Sequence, residues 1–202
     1  MVPTASPTRA NATCSARPLL GVVLAGGRSS RMRCDKATLA HPGGLTFLEH
    51  AIWRLSQVTP HVAVSGRPVT QENILEIPDQ TPVLGPAMAV WSAVQVAARL
   101  KFSSILVTPL DMPDLEPKHL QALIDAATGH WPTCASFDGQ SPHPLVAVYP
   151  VSLMPELEVV ANSQRRSLRA WLATCPSRLV LLPEHAKRDC NTPQDITASI
   201  QP

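Results

Sequence analysis

No two of the chain's five cysteines, Cys14, Cys34, Cys134, Cys175 and Cys190, stand in a C-x-x-C pair, and their number is odd. That argues against a disulfide framework and a cysteine zinc site, and it fits a chain held in a reducing cytosol. Net charge is also scarce. At +2 over 202 residues there is no broad basic face for duplex nucleic acid, so an anion must be recognised by a local cluster and the implied partner is small. Long apolar runs are missing too: Leu19 to Ala25 is strand-sized and stops at Gly26, so no membrane span and a cytoplasmic location are expected. Residues 1–17 lack the short basic start and apolar core of a signal peptide. Rich in Pro, Ala, Thr and Ser, they read as a disordered tail ahead of a single domain over 18–202. Asn11-Ala12-Thr13 has the form of a glycosylation acceptor, but in a cytosolic tail it is a coincidence.

What is present is an alternation of short and long apolar segments. Hydrophobic residues make up 45% of the chain, enough at this length to bury one sizeable core. Strand-like runs fall at Leu19 to Ala25, His61 to Ser65, Ser104 to Thr108, Thr133 to Phe137, Leu145 to Tyr149 and Leu179 to Leu182, with helical spacing between them. Thr46 and Glu49 form a capping box ahead of Phe47, Ala51, Ile52 and Leu55, which predicts a helix with a buried stripe. Gly85-Pro86, Glu116-Pro117 and Thr192-Pro193 each place proline where a first helical turn tolerates it, predicting three more helices. The first strand has little polar interruption, as a parallel strand covered on both faces requires. The pattern is that of an α/β domain, without internal repeats.

In such domains ligands bind beyond the carboxyl ends of the strands, and directly behind the first strand lies "LAGGRSSRMRCDK", Leu24 to Lys36. Gly26 and Gly27 can take positive φ and let backbone N–H groups close on an anion, while Arg28, Arg31, Arg33 and Lys36 supply charge that pairs with phosphate. A lone Gly-Gly would be a turn beside a solvated basic face; the density of donors here makes a phosphate cradle. It lacks the Gly-Lys-Ser/Thr of a P-loop and the G-x-G-x-x-G dinucleotide fingerprint.

This stretch resembles the L-A-G-G-x-S-x-R-M-G-x-D-K signature of the molybdenum cofactor guanylyltransferases and their relatives among sugar-phosphate and cofactor nucleotidyltransferases. Four further blocks follow in the family's order: "IPDQTPVLGPAMA" resembles its Asp followed by G-P-L-A-G, "VTPLDMPDL" its C-D-x-P strand end, "DGQSPHPLVAVY" its D-G-x-x-H-P-L-x-A-L-Y segment, and "RDCNTPQDI" its N-x-N-T-P-E-D close. The resemblance implies a three-layer, mostly parallel, Rossmann-like α/β nucleotidyltransferase fold. It implies transfer of GMP from GTP to molybdopterin with Mg²⁺ as cofactor and pyrophosphate released. The implied partners are GTP, molybdopterin, and molybdoenzymes or other cofactor-biosynthesis proteins, with no nucleic acid and no membrane.

The same resemblance assigns residues. Lys36 and Arg31 would hold the phosphates, Gly26, Gly27 and Ser29 would wrap the triphosphate, and the main chain from Leu24 through Ala25 to Gly26 would lie against the base. Asp111, at the end of "SILVTPLD", would hold Mg²⁺; its local residues alone fit a turn or cap aspartate ahead of Pro113. Asp189 and Asn191 would add an oxygen ligand or a substrate contact, unless Asn191 or Thr192 merely caps the last helix. Asp79 would accept hydrogen bonds from guanine or ribose, and Gly85 would give close backbone approach at a helix N-terminus. His143, Arg165 and Arg166 match positions on the pterin side. Cys34 and Cys190 are expected to be inert packing. Two positions depart from the family: Arg33 replaces the glycine after Met32, and Ala89 replaces the glycine that ends G-P-L-A-G. A cytidylyltransferase acting on the same pterin or another phosphorylated alcohol, and a nucleotide-binding protein without transfer activity, are the alternatives.

Overall fold

The computed structural model describes residues 18–26, 36–39, 41, 44–78, 85–188 and 190. Seven strands form one sheet: β1 (Leu19–Leu24), β2 (Val62–Ser65), β3 (Ile74–Ile77), β4 (Ser104–Pro109), β5 (Thr133–Ser136), β6 (His143–Pro150) and β7 (Arg178–Leu181). Their order is β3-β2-β1-β4-β6-β5-β7. β1 to β4 are mutually parallel, β6 runs antiparallel to both neighbours, and β7 is again parallel to β5. The sheet is therefore mixed and mostly parallel. Each expected strand is present within a residue or two at its ends; β3 was not anticipated, because "ILEI" is short and two of its four side chains are exposed.

Helices cover both faces. α1 (Phe47–Ser56) and α3 (Pro117–Ala126) pack with Val23, Val64, Leu106 and Val148 on one side; α2 (Pro86–Arg99), α4 (Met154–Asn162) and α5 (Leu168–Leu172) pack with Leu20, Val22, Ile105 and Tyr149 on the other. Alternate residues of β1 and β4 thus feed different cores, and the interior of β1 is buried throughout. The capping box of α1 is formed: the Glu49 N–H donates to Thr46 Oγ1 at 3.2 Å, and the Thr46 N–H donates to Glu49 Oε2 at 2.7 Å. The helix expected after Thr192-Pro193 lies outside the described residues, as do the N-terminal residues 1–17. Among the described residues no helix is long and apolar enough to cross a membrane.

Gly21 sets the distance between β1 and the end of α1. A Cβ there would lie 2.9 Å from the Thr59 methyl and 3.1 Å from Leu55 Cδ2. Thr59 cannot turn away cheaply, because its hydroxyl donates to the Leu19 carbonyl at 2.9 Å. Gly21→Ala is expected to cost about 1–3 kcal/mol as an overpacking change. A thermal melt checks this; with each kcal/mol worth about 2–4 °C in a domain of this size, a variant melting with the parent would show the packing to be looser.

Candidate active site

The chain leaves β1 towards β2 on one side and returns through α2 to β4 on the other, so β1 and β4 flank the point where the strand order reverses. Ligands of open α/β sheets bind in the crevice at the carboxyl edge of such a point. The parallel register pairs Leu24 with Pro109, so Gly26 and Asp111 each stand two residues beyond a paired position on neighbouring strands. The first glycine of the cradle and the candidate metal ligand therefore leave the sheet side by side. On the other side of β4, β6 runs antiparallel with Val107 opposite Ala147. The ladder ends at that pair, and β6 is then irregular, with Cys134 opposite Ala147 but Ala135 opposite His143, which leaves His143 at the carboxyl-edge end of β6. Electrostatics agree: the Asp111 carboxylate raises the affinity of the His143 imidazole for a proton.

Three independent contacts hold the segment that carries Asp111. Arg54, in the last turn of α1 and only 1% exposed, sends Nη1 to the carbonyls of Met112 at 2.6 Å and Leu115 at 3.2 Å, and Nη2 to that of Pro109 at 3.2 Å. Helical side chains lean towards the N-terminus of their helix, which carries this long stem from the end of α1 back to the carboxyl edge of the sheet. Burial lowers the Arg54 pKa to about 10, so the guanidinium is still a cation at neutral pH. From outside, Arg188 meets Asp114 through two bonds, Nε to Oδ2 at 2.6 Å and Nη2 to Oδ1 at 2.9 Å. The Cys190 N–H donates to the Asp111 carbonyl at 2.8 Å. Asp189 and Asn191, the sequence neighbours of Cys190, lie outside the described residues. Cys190 is buried, as packing requires.

Gly85 precedes α2 at the same edge, since α2 must start there to return the chain to the opposite end of the parallel β4. Its φ of 83° and ψ of 179° belong to a region essentially reserved for glycine. Space is not the constraint, because a Cβ would meet nothing within 4 Å. No side chain caps this helix among the described residues, and Pro86 occupies its first turn, so the following backbone N–H groups and the positive end of the helix dipole face the edge. Ala89 lies inside α2. The family glycine is therefore not needed here for its φ, and alanine is the better helix former.

His143 opens β6. Burial holds its pKa below the ordinary histidine value, the charges of Arg169 and Lys187 push the same way, and Asp111 opposes them. Its Nδ1 is buried with no hydrogen-bond partner among the described residues. Pro142, next to it in the chain, and Arg169 line a cleft of about 340 Å³ with Gln140, Ser141, Leu172 and Leu179. Arg165 and Arg166 are exposed in the link between α4 and α5, not on a helix. Arg166 has a positive φ of 43°, and its N–H donates to Ser163 Oγ at 3.1 Å.

Lys36 begins a 3-10 helix, Lys36–Thr38, which packs on α1; its side chain, with Gly27, Ser29, Arg31, Arg33, Cys34 and Asp79, lies outside the described residues. Arg54, Asp114 and Arg188 were not anticipated from the sequence. A signal existed for Arg54, which stands three residues after Ala51 and seven after Phe47, on the stripe that α1 buries.

Among the described residues, the one group of three potential metal ligands is Glu116, His119 and His185, whose ligand atoms lie within 4.8 Å of one another. It caps α3 instead: the Glu116 N–H donates to His119 Nδ1 at 3.1 Å, and Glu116 pairs with Lys118 at 2.9 Å. With Nδ1 accepting a backbone proton, neutral His119 carries its own proton on Nε2 and has no lone pair left for a cation.

Residues 21–180 match the family model described as a MobA-like NTP transferase domain. A probable molybdenum cofactor guanylyltransferase of Rhodopirellula baltica is 39% identical over 194 residues, with 89% of this chain and 90% of the relative covered. A molybdenum cofactor guanylyltransferase of Rhizobium johnstonii is 35% identical over 192 residues, with 88% and 90% covered. The crystal structure of a molybdopterin-guanine dinucleotide biosynthesis protein A from Archaeoglobus fulgidus superposes with a TM-score of 0.71 at 21% identity, over 89% of this chain and 96% of that one. The last likeness concerns the fold.

The backbone at the start of α2 gives opposite expectations for neighbouring positions. Gly85→Ala should destabilise by about 1–3 kcal/mol through its forbidden dihedrals, and Ala89→Gly by about 1 kcal/mol through helix propensity. Denaturant titration of both variants measures this; a Gly85→Ala protein as stable as the parent would mean that the positive φ is not required.

Proposed function

The chain belongs to the MobA-like NTP transferase family, and from that premise we propose that it transfers GMP from GTP to molybdopterin, forming the guanine dinucleotide cofactor and releasing pyrophosphate. The observation that carries the reading is the β1–β4 register, which brings the first glycine of the cradle and Asp111 to one crevice. The choice of base and acceptor rests on the relatives named guanylyltransferases.

In this reaction a phosphate oxygen of the pterin attacks the α-phosphorus of GTP, and the bond from that phosphorus to the oxygen bridging the β-phosphate breaks. Both reactants are polyanions, so catalysis is chiefly alignment and charge compensation. Gly26 and Gly27 would offer backbone N–H groups to the triphosphate, with Ser29, Arg31 and Lys36 around it. Leu24 and Ala25 would lie against the base, Asp79 would accept from the guanine edge, and the start of α2 at Gly85 would direct its dipole at phosphate. Asp111, half-buried at the edge of the sheet, suits Mg²⁺, a hard ion that takes one or two carboxylates and leaves its other positions to water and substrate phosphate. Asp189 or Asn191 would complete the protein contribution. When bound, the ion supplies neutralisation of charge on the phosphate oxygens. His143, whose pKa burial holds below the ordinary histidine value, would serve the pterin side with Arg165 and Arg166.

Thermal-shift titrations with GTP, CTP and UTP, with and without Mg²⁺, test the assignment, since stabilisation follows RT ln(1 + [L]/Kd) and reaches about 2.7 kcal/mol at a hundred times Kd. GTP is expected to stabilise most, and the parent chain, with Arg33 in place, to release pyrophosphate from GTP and molybdopterin. A larger shift with CTP would make the protein a cytidylyltransferase, and nucleotide binding without pyrophosphate would make it a binding protein. Asp111→Asn is expected to abolish transfer and the Mg²⁺-dependent part of the GTP shift while leaving the unliganded melting temperature nearly unchanged. An unfolded Asp111→Asn that retains activity per folded molecule would identify Asp111 as a turn-capping residue.

A further inference from the structure

We propose that Arg54 is a positioning residue for nucleotidyl transfer: its buried guanidinium fixes the loop from Pro109 to Leu115 in the geometry that presents Asp111 to the nucleotide. The inference rests on the assignment of Asp111 made above.

The three carbonyls that accept from Arg54, those of Pro109, Met112 and Leu115, bracket Asp111 on both sides. Each bond fixes the orientation of a peptide group, so the backbone entering and leaving Asp111 has little freedom to rotate. Met112 and Leu115 are themselves fully buried, which anchors the loop to the core between those bonds. Among the described residues, none of the hydrogen-bond acceptors of Arg54 is a carboxylate, and its Nε is buried with no hydrogen-bond partner.

Stability is a poor account of this arrangement. Taking a cation out of water costs several kcal/mol, and the α1 stripe occupied by Ala51, Ile52 and Leu55 would be filled at lower cost by another aliphatic side chain. An aliphatic residue, however, would take away the Arg54 donors of the Pro109 and Leu115 carbonyls and leave the Met112 carbonyl only the Leu115 N–H at 3.3 Å. A lysine would bring its donors to a single point, whereas the planar fork of arginine reaches acceptors on separate turns of one loop. The residue type thus matches the task of shaping a loop. That loop lies at the switch point of the sheet, and its outer side is held by Arg188 and Cys190.

The test compares the parent, Arg54→Lys, Arg54→Met and Asp111→Asn for melting temperature and for the Mg²⁺ dependence of pyrophosphate release from GTP and molybdopterin. Loss of a residue that orients a metal ligand costs about 10–100-fold in metal affinity or activity. Arg54→Met is therefore expected to raise the half-saturating Mg²⁺ concentration about tenfold or more and to lower kcat per folded molecule, with the KM for molybdopterin within about twofold. Arg54→Lys should restore the melting temperature more fully than it restores the Mg²⁺ dependence. Should Arg54→Met fail to fold, the same criterion is applied to Arg54→Lys. Folded Arg54 variants with the parent's Mg²⁺ dependence and kcat, beside an inactive Asp111→Asn, would overturn this inference and leave the assignment of Asp111 standing. An Asp111→Asn protein with the parent's Mg²⁺ dependence would overturn both.

Discussion

The pairing of β1 with β4 is the constraint on which the rest of the molecule depends. Six registered positions, from Leu19↔Ser104 to Leu24↔Pro109, join strands separated in sequence, among the described residues, by two further strands, two α-helices and a 3-10 turn. Side chains alternate between faces with period two, so this one register sends Leu20 and Val22 to the α2 core and Val23 to the α1 core. It also places the ends of the two strands level. A slip by one residue would exchange the two cores and pull Gly26 away from Asp111 at once. Stability and the geometry of the candidate site are therefore fixed by the same hydrogen bonds.

The carboxyl edge is where the molecule concentrates polar groups that a core would exclude. Arg54 is a buried cation, His143 a half-buried residue whose Nδ1 has no hydrogen-bond partner among the described residues, and Gly85 a residue in a conformation that side chains avoid. Each costs folding free energy, and each reaches the carboxyl edge of the sheet. Groups held this firmly are what the alignment of two polyanions against their mutual repulsion requires. The Glu116–His119 cap is the contrasting case. It uses a carboxylate and an imidazole at close quarters, yet its hydrogen bonds all serve the end of α3.

The C-terminal block joins the site from outside the sheet. β7 pairs with β5 at the far edge, and the chain then travels back so that Arg188 reaches Asp114 and Cys190 reaches Asp111. An exposed ion pair of this kind contributes little to stability, roughly 0–1 kcal/mol. Its consequence is one of place, because it returns residues far along the chain to the strand ends where the first glycines also emerge.

The sequence by itself determined the fold class, the capped start of α1, the proline-led starts of α2 and α3, and the glycine-rich, basic composition of the stretch from Leu24 to Lys36. These are local properties: turn chemistry, periodicity and residue type act over a few positions, and a linear reading contains them. The family resemblance extended that reading to Asp111, Gly85 and His143 by position in ordered blocks. Tertiary structure alone decided which of these residues meet. The strand order 3-2-1-4-6-5-7 sets Gly26 beside Asp111 and leads Asp111 towards His143, and no local pattern records which strand lies next to which. It alone placed Ala89 inside α2, where a glycine φ is not needed. It alone revealed Arg54, since an arginine on a helix reads as solvent-exposed until the partners of its guanidinium, some sixty residues away in sequence, are brought against it by the packing of α1 on the sheet.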